Sequence, residues 1–223
     1  MISQALSDTF LDHYAPCIPT PDSPEITAHQ APEIFDLWEA WEALSGGICE
    51  IPFWAILWPG ARVLAAHILD NKELVRGKRV LDLGCGSGII GIASALAGAG
   101  RVVCNDIDCV ALAIARKNAA ASGVIDRAID YVSRDMTKDS VSEEFDLVFV
   151  ADMFYSKSTS DPFVPLLTRL RTAGARIIFG DGSRAFAPTA DRIPIVNVSV
   201  PVSRVVEGVD CRDVAVFEWL AVS

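Results

Sequence analysis

The first 61 residues contain no lysine or arginine; the first cation of the chain is Arg62. Nine Asp or Glu fall in the same stretch, so nearly all of the formal net charge of −10 sits there. A mitochondrial targeting peptide, which is Arg-rich and poor in acids, is therefore not expected. An acidic face also disfavours a phosphate backbone, which argues against a nucleic-acid partner and for basic, lysine-bearing ones. The opening MISQALSDTF lacks a basic region followed by an apolar core, so no secretory signal is expected either. No apolar run reaches the ~18 residues of a membrane span. Six cysteines are scattered at 17, 49, 85, 104, 109 and 211 without a C-x-x-C pair, and of His13, His29 and His67 only His13 lies within a few residues of one, Cys17. That spacing argues against a zinc site and against a disulfide framework, leaving reduced, mostly buried thiols as the expectation. The chain reads as a cytoplasmic, monomeric protein that holds no metal.

What is present fits one well-buried domain of 223 residues. Residues 1–31, with PCIPTPDSPEITAHQAP, show no sustained period and read as a flexible arm. Residues 32–77 form a helical and aromatic segment. Within it Ile34, Leu37, Trp38, Trp41 and Leu44 share one face of a helix over 32–44, and a second helix is expected over 62–69 after the proline-broken IPFWAILWPGA. From Lys78 to the end, short apolar runs (RVLDL, RVVCND, FDLVFVAD, ARIIFGD) alternate with helix-length segments. Strands apolar throughout, separated by helices, imply a parallel sheet covered on both faces. IVNVSVPV and RDVAVFEWL are joined by a connection too short for a crossover helix and should form a C-terminal antiparallel hairpin. The expected fold is a doubly wound, Rossmann-like α/β sheet.

The loop LDLGCGSGIIG at 81–91 has two parses. Gly86-Ser87-Gly88-Ile89-Ile90-Gly91 fits a dinucleotide fingerprint, while Asp82-Leu83-Gly84-Cys85-Gly86-Ser87-Gly88 fits the acidic loop of S-adenosylmethionine-dependent methyltransferases. Glycine at 84, 86 and 88 lets the backbone approach a ligand or take positive φ, which suits both. Asp82 favours the second parse: a carboxylate at the mouth opposes a pyrophosphate but favours a sulfonium and an ammonium. About 20 residues on, Asp106 ends the next strand and could accept from ribose hydroxyls, or serve as a helix cap near Asp108. Asp135 and Met136 follow the third strand, where they could meet adenine, or Asp135 could be a solvated loop residue.

Asp152 ends an apolar strand and is followed by Met153-Phe154-Tyr155. Methylation of an amine needs a neutral, aligned, water-shielded nucleophile. An acid can orient the amine and an aromatic wall can hold an ammonium, so Asp152 and Tyr155 are the candidate catalytic pair. The alternative is that Asp152 caps a helix and Tyr155 only packs. Phe53, Trp54 and Trp58 are either a buried lid or a wall at the entrance.

PFWAILWPGA, LDLGCGSGI, NDID and DMFY together resemble the family 16 lysine methyltransferases, and within them the electron-transfer flavoprotein β-subunit lysine methyltransferases. Val75-Arg76-Gly77-Lys78 and Gly180-Asp181 match the family as well, and the likeness runs from about residue 50 to the C-terminal strands. It implies a seven-stranded methyltransferase fold and transfer from S-adenosylmethionine to lysines of a protein, with electron-transfer flavoprotein β-subunit as the suspected substrate. It further implies that Asp82, Gly84, Gly86 and Asp106 serve the cofactor, that Trp58 lies near its methionine end, and that Asp152 and Tyr155 flank the lysine. The chain departs from the family pattern at Ala61 and at Gly182-Ser183, where a glycine and Pro-Gly are common. A small-molecule amine or pyridine N-methyltransferase is the competing expectation.

Overall fold

The structure, a computed structural model, describes residues 7–138 and 144–220. The chain enters through a helix, α1 (Asp8–Tyr14), and an antiparallel hairpin, β1 (Cys17–Thr20) and β2 (Ser23–His29). This corrects the flexible arm expected over 1–31: its described part is ordered. The partners lie far off in sequence, which is why no local period announced them. The His29 amide and its Nδ1 both meet Asn118 Oδ1, at 2.9 and 2.7 Å, and the Thr27 amide donates to Ser122 Oγ.

Helix α2 (Ile34–Ser45) buries Ile34, Leu37 and Trp41 of the expected face, leaves Leu44 near its end exposed, and stops at Gly46 at positive φ. The second helix, α3 (Pro59–Asp70), begins three residues before the expected Arg62. Pro59 reads as a breaker, but at the first helical position proline loses no hydrogen bond and its fixed φ suits the helix.

A seven-stranded sheet follows. Its strands are β3 (Arg79–Leu83), β4 (Arg101–Asp106), β5 (Ile129–Ser133), β6 (Leu147–Ala151), β7 (Arg176–Asp181), β8 (Arg192–Pro201) and β9 (Cys211–Trp219), in the spatial order β5-β4-β3-β6-β7-β9-β8. The first five pair in parallel, and β9 runs antiparallel to both β7 and β8. The expected C-terminal hairpin is thus present, with its second strand inserted next to the parallel set.

Helices α4 (Ile89–Leu96), α5 (Cys109–Ala121) and α6 (Lys157–Thr172) cover the sheet, and a single turn, α7 (Arg204–Glu207), links β8 to β9. Successive strand residues point to opposite faces. Val80, Val102, Phe149 and Ile178 pack with α3, α4 and α5, while Leu81, Val103, Val148 and Phe179 pack with Leu166 and Leu170 of α6. Each such side chain contributes about 1.5–3 kcal/mol on burial. Chain direction through the sheet reverses between β3 and β6, so the crevice beyond their carboxyl ends is where an open α/β sheet binds ligands.

Candidate active site

A cavity of about 750 Å³ opens at that reversal. The β3–α4 loop supplies Gly84, Cys85, Gly86 and Ser87 to it; Asp106 comes from β4, Asp152 and Tyr155 from the segment after β6, and Trp58 from the start of α3. Six residues from the sequence reading therefore meet in one space: Trp58, Gly84, Gly86, Asp106, Asp152 and Tyr155. At Gly86, φ is +50° and an added Cβ would meet no heavy atom within 4 Å, so this turn opens onto the cavity. The Gly86 amide donates to Asp106 Oδ2 (2.9 Å) and the Asp108 amide to Asp106 Oδ1 (3.0 Å). Asp106 is thus not the helix cap; Asp108 is, accepting from the Val110 amide at the start of α5. The Asp106 carboxylate, with roughly four acceptor positions, keeps capacity for a ligand beside these amides. Burial pushes its carboxyl up, against the amides of Asp108, Gly86 and Ile107, which favour the ionised form.

Four expected site residues do not line the cavity. Asp82 is 1% exposed. Being even in a strand whose odd residues face α6, it points instead under the loop, where Oδ2 accepts from the Gly91 amide at 2.9 Å. Burial, with a smaller contribution from Asp106, pushes its carboxyl up to about 7. Its expected place at the mouth is corrected: it supports the loop from below. Gly88 stands just before α4, at its N-cap, and faces Ala115. Met136 is a core residue. Asp135 is turned to Lys138 Nζ (2.8 Å) and the Thr137 amide, and this pairing, Lys138 first, holds it at about 2. Asn105 organises this corner by donating to the carbonyls of Val132 and Arg134.

The aromatic cluster divides. Trp54 is buried edge-on against Trp41, whereas Phe53 bridges Trp58 and Tyr155 with ring centroids 5.9 and 6.2 Å away. Phe53 and Tyr155 are 41% and 53% exposed, so they form a wall at the mouth. Both readings of the cluster hold, for different members.

Asp152 takes positive φ (52°), an uncommon conformation for a residue other than glycine. Its Oδ2 accepts from the Gly60 amide (2.7 Å), and Oδ1 accepts from the Gly182 amide (2.9 Å) and from Arg184 Nε (2.8 Å). Asp152 therefore does cap a helix, but it is α3, 92 residues earlier in the chain. Burial pushes its carboxyl up, while Arg184 and the two amides pull against it. Arg184 continues to both oxygens of Glu207 (2.9 and 2.7 Å), and Arg212 also donates to Glu207 (2.8 Å). Burial works against the Glu207 carboxylate, but the two guanidinium groups hold it below its usual range. Arg184, Glu207 and Arg212 were missed in the sequence; Arg184 follows the Gly180-Asp181 strand end, but nothing local marks the other two.

Five acids line the cavity (Glu50, Asp106, Asp108, Asp152 and Glu207) against two arginines, both paired with those acids. A site of this charge suits a cationic, phosphate-free ligand better than a pyrophosphate. The six cysteines are free thiols, but only Cys85 and Cys104 are buried, fewer than expected.

A Caenorhabditis elegans protein named as an electron transfer flavoprotein beta subunit lysine methyltransferase homolog is 30% identical over 176 residues, covering 73% of this chain and 70% of its own. The chain belongs to that methyltransferase family. The Danio rerio electron transfer flavoprotein beta subunit lysine methyltransferase is 38% identical over 135 residues, 60% of this chain and 51% of the relative. The chain thus spans about half the length of the first curated relatives it matches. A family model described as ribosomal protein L11 methyltransferase (PrmA) matches residues 63–157. Among solved structures, the N-methyltransferase NodS from Bradyrhizobium japonicum WM9, in complex with S-adenosyl-L-homocysteine, superposes with a TM-score of 0.55 at 18% identity, over 81% of this chain and 97% of NodS. Such a likeness supports the fold alone. The sheet is that of the S-adenosylmethionine-dependent methyltransferases.

Proposed function

We propose that the protein is a protein-lysine N-methyltransferase that takes its methyl group from S-adenosylmethionine. The observation that carries this reading is the convergence, in one cavity, of the Gly84–Gly86 loop and Asp106 with Asp152, Tyr155 and Trp58. The open turn at Gly86, the free acceptor positions of Asp106 and the excess of acids fit the cofactor's nucleoside and its cationic methionine portion. When bound, S-adenosylmethionine supplies a methyl group activated on a sulfonium.

The chain's own residues do the rest. Asp106 holds the ribose, and the Gly84–Gly86 backbone gives it room. Asp82 stays beneath the loop as a support. Asp152 offers its remaining acceptor position to the target amine and aligns it. Tyr155, Phe53 and Trp58 enclose the lysine side chain, exclude water and attract its cationic form on arrival. Acids around the mouth favour basic segments of a partner. The relatives' names support electron-transfer flavoprotein β-subunit as the substrate. The two lining arginines are already paired with acids of the same wall, which supports a protein rather than a nucleic-acid partner, and the protein acts in the cytoplasm as a monomer.

Intact-mass spectrometry of purified electron-transfer flavoprotein β-subunit, incubated with the protein and S-adenosylmethionine, tests this. Mass gains in steps of one methyl group are expected. Tyr155→Ala should lose most of the transfer without losing stability, since the ring is half exposed. Asp106→Ala should weaken S-adenosylmethionine binding by about 1–3 kcal/mol. No gain on this protein, with transfer to free amines instead, would move the reading to a small-molecule N-methyltransferase.

A further inference from the structure

Asp152 sits at one end of a chain of alternating charge: Asp152, Arg184, Glu207, Arg212. Its members come from the end of β6, the loop after β7, α7 and β9. All four line the cavity. The first three are nearly closed to solvent, with side chains 3, 10 and 4% exposed. The guanidinium of Arg184 also lies over the Trp58 ring, 5.2 Å from its centroid. Its Nε is taken by Asp152 and its two terminal nitrogens by Glu207, so it is held from both sides. The Gly60 and Gly182 amides with Arg184 fill three of the roughly four acceptor positions of the Asp152 carboxylate, leaving one on Oδ2.

A neutral amine is required for methyl transfer, yet a lysine brought beside a buried carboxylate is held as ammonium. An opposite charge within about 4–6 Å shifts a titration by about 1–3 units. Bare, Asp152 would align the nucleophile and inactivate it at once. We propose that Arg184 is a positioning residue that resolves this conflict: it fixes Asp152 so that one acceptor position is left for the lysine, and it cancels the carboxylate charge so that the lysine reacts as the free amine. This rests on the lysine-methyltransferase reading above. The other charged groups around Asp152 do not supply the compensation. Asp181, on β7, is an acid whose carboxyl is pushed up by burial and by Asp152. Glu50, Asp106 and Asp108 on the remaining walls are acids too. Arg212 reaches Glu207 and not Asp152. The start of α3 brings only the uncharged Gly60 amide and Trp58.

The test is the pH dependence of kcat/KM between about pH 6 and 10 at saturating S-adenosylmethionine, on electron-transfer flavoprotein β-subunit. Folding of each variant is checked by thermal unfolding. Arg184→Gln should move the rising limb up by about one pH unit, lowering activity about tenfold at neutral pH and recovering it at high pH. Arg184→Lys keeps the charge and should leave the limb in place even where kcat falls. Glu207→Gln removes an acid next to Arg184 and should move the limb the other way. Opposite displacements in the two neutralising variants are not produced by loosened packing. A folded Arg184→Gln variant with an unmoved limb overturns the inference. If that variant does not fold, an unmoved or raised limb in Glu207→Gln overturns it. No transfer by the unsubstituted protein on any lysine-bearing substrate removes the methyltransferase reading itself, and this inference with it; transfer with unmoved limbs removes only the inference.

Discussion

Asp82 keeps a carboxyl group where water does not reach and gives it the Gly91 amide as its hydrogen-bond donor. Its ionised form is therefore costly, and the group titrates near 7 in the folded chain against about 3.8 when exposed. A carboxyl whose folded titration is raised contributes stability that is complete below its unfolded value and is lost as pH rises through the folded one. The window for Asp82 is thus from about 4 to about 7, with stability falling as pH rises. Asp82→Asn keeps an oxygen for the Gly91 amide and cannot ionise. Its melting temperature relative to the unsubstituted protein should rise between pH 4.5 and pH 7.5, by an amount equivalent to a few kcal/mol. A constant difference across that range would show that Asp82 titrates normally. Burial pushes the Asp152 carboxyl up as well, with Arg184 and two amides pulling against it.

The element that joins core to site is α3. Its first turn lies so close to β7 that a Cβ on Gly60 would stand 2.2 Å from the Gly180 carbonyl oxygen and 2.6 Å from Asp152 Oδ2. Neither neighbour can yield cheaply, one being backbone and the other bound to three donors. Gly60→Ala should lower the urea midpoint without changing the slope, a loss of about 1–3 kcal/mol. It should also reduce methyl transfer, since the cap between Asp152 and the Gly60 amide is displaced. An unchanged midpoint would mean that helix and strand stand further apart than described. The same close approach places Trp58 at the cavity mouth, one residue before the helix begins.

At the scale of the molecule, the N-terminal segment closes the outer side of the fold. Leu11 of α1 and Ala15 just after it pack with Trp41, Trp54 and Ile114, and Ile26 and Ala28 of β2 join the main core. Removal of residues 1–31 should therefore lower the melting temperature by about 10 °C or more. Several buried side chains at about 1.5–3 kcal/mol each are lost, and for a chain of this size about 1 kcal/mol corresponds to 2–4 °C. Scanning calorimetry checks this, and an unaltered transition would restore the reading of a flexible arm.

Much of this architecture is legible in the residues alone, because it depends on neighbours in sequence. Short continuous apolar runs announced the strands from Arg79 on, period-3.6 spacing announced the helix α2, and glycines at 84 and 86 announced the turn that opens the cavity. The acid at 106 and the Asp152–Tyr155 pair are placed by the ends of their strands, so they too could be named in advance. The rest depends on partners separated by tens of residues. Strand register turned Asp82 inward and left Asp106 to face the cavity, and packing took Met136 into the core; Asp135 alone was drawn aside by a near neighbour, Lys138, three residues on. Packing against α5 ordered a segment that has no period of its own. Only the tertiary structure brought Arg184, Glu207 and Arg212 to Asp152, since charge pairing acts through space and leaves no spacing along the chain.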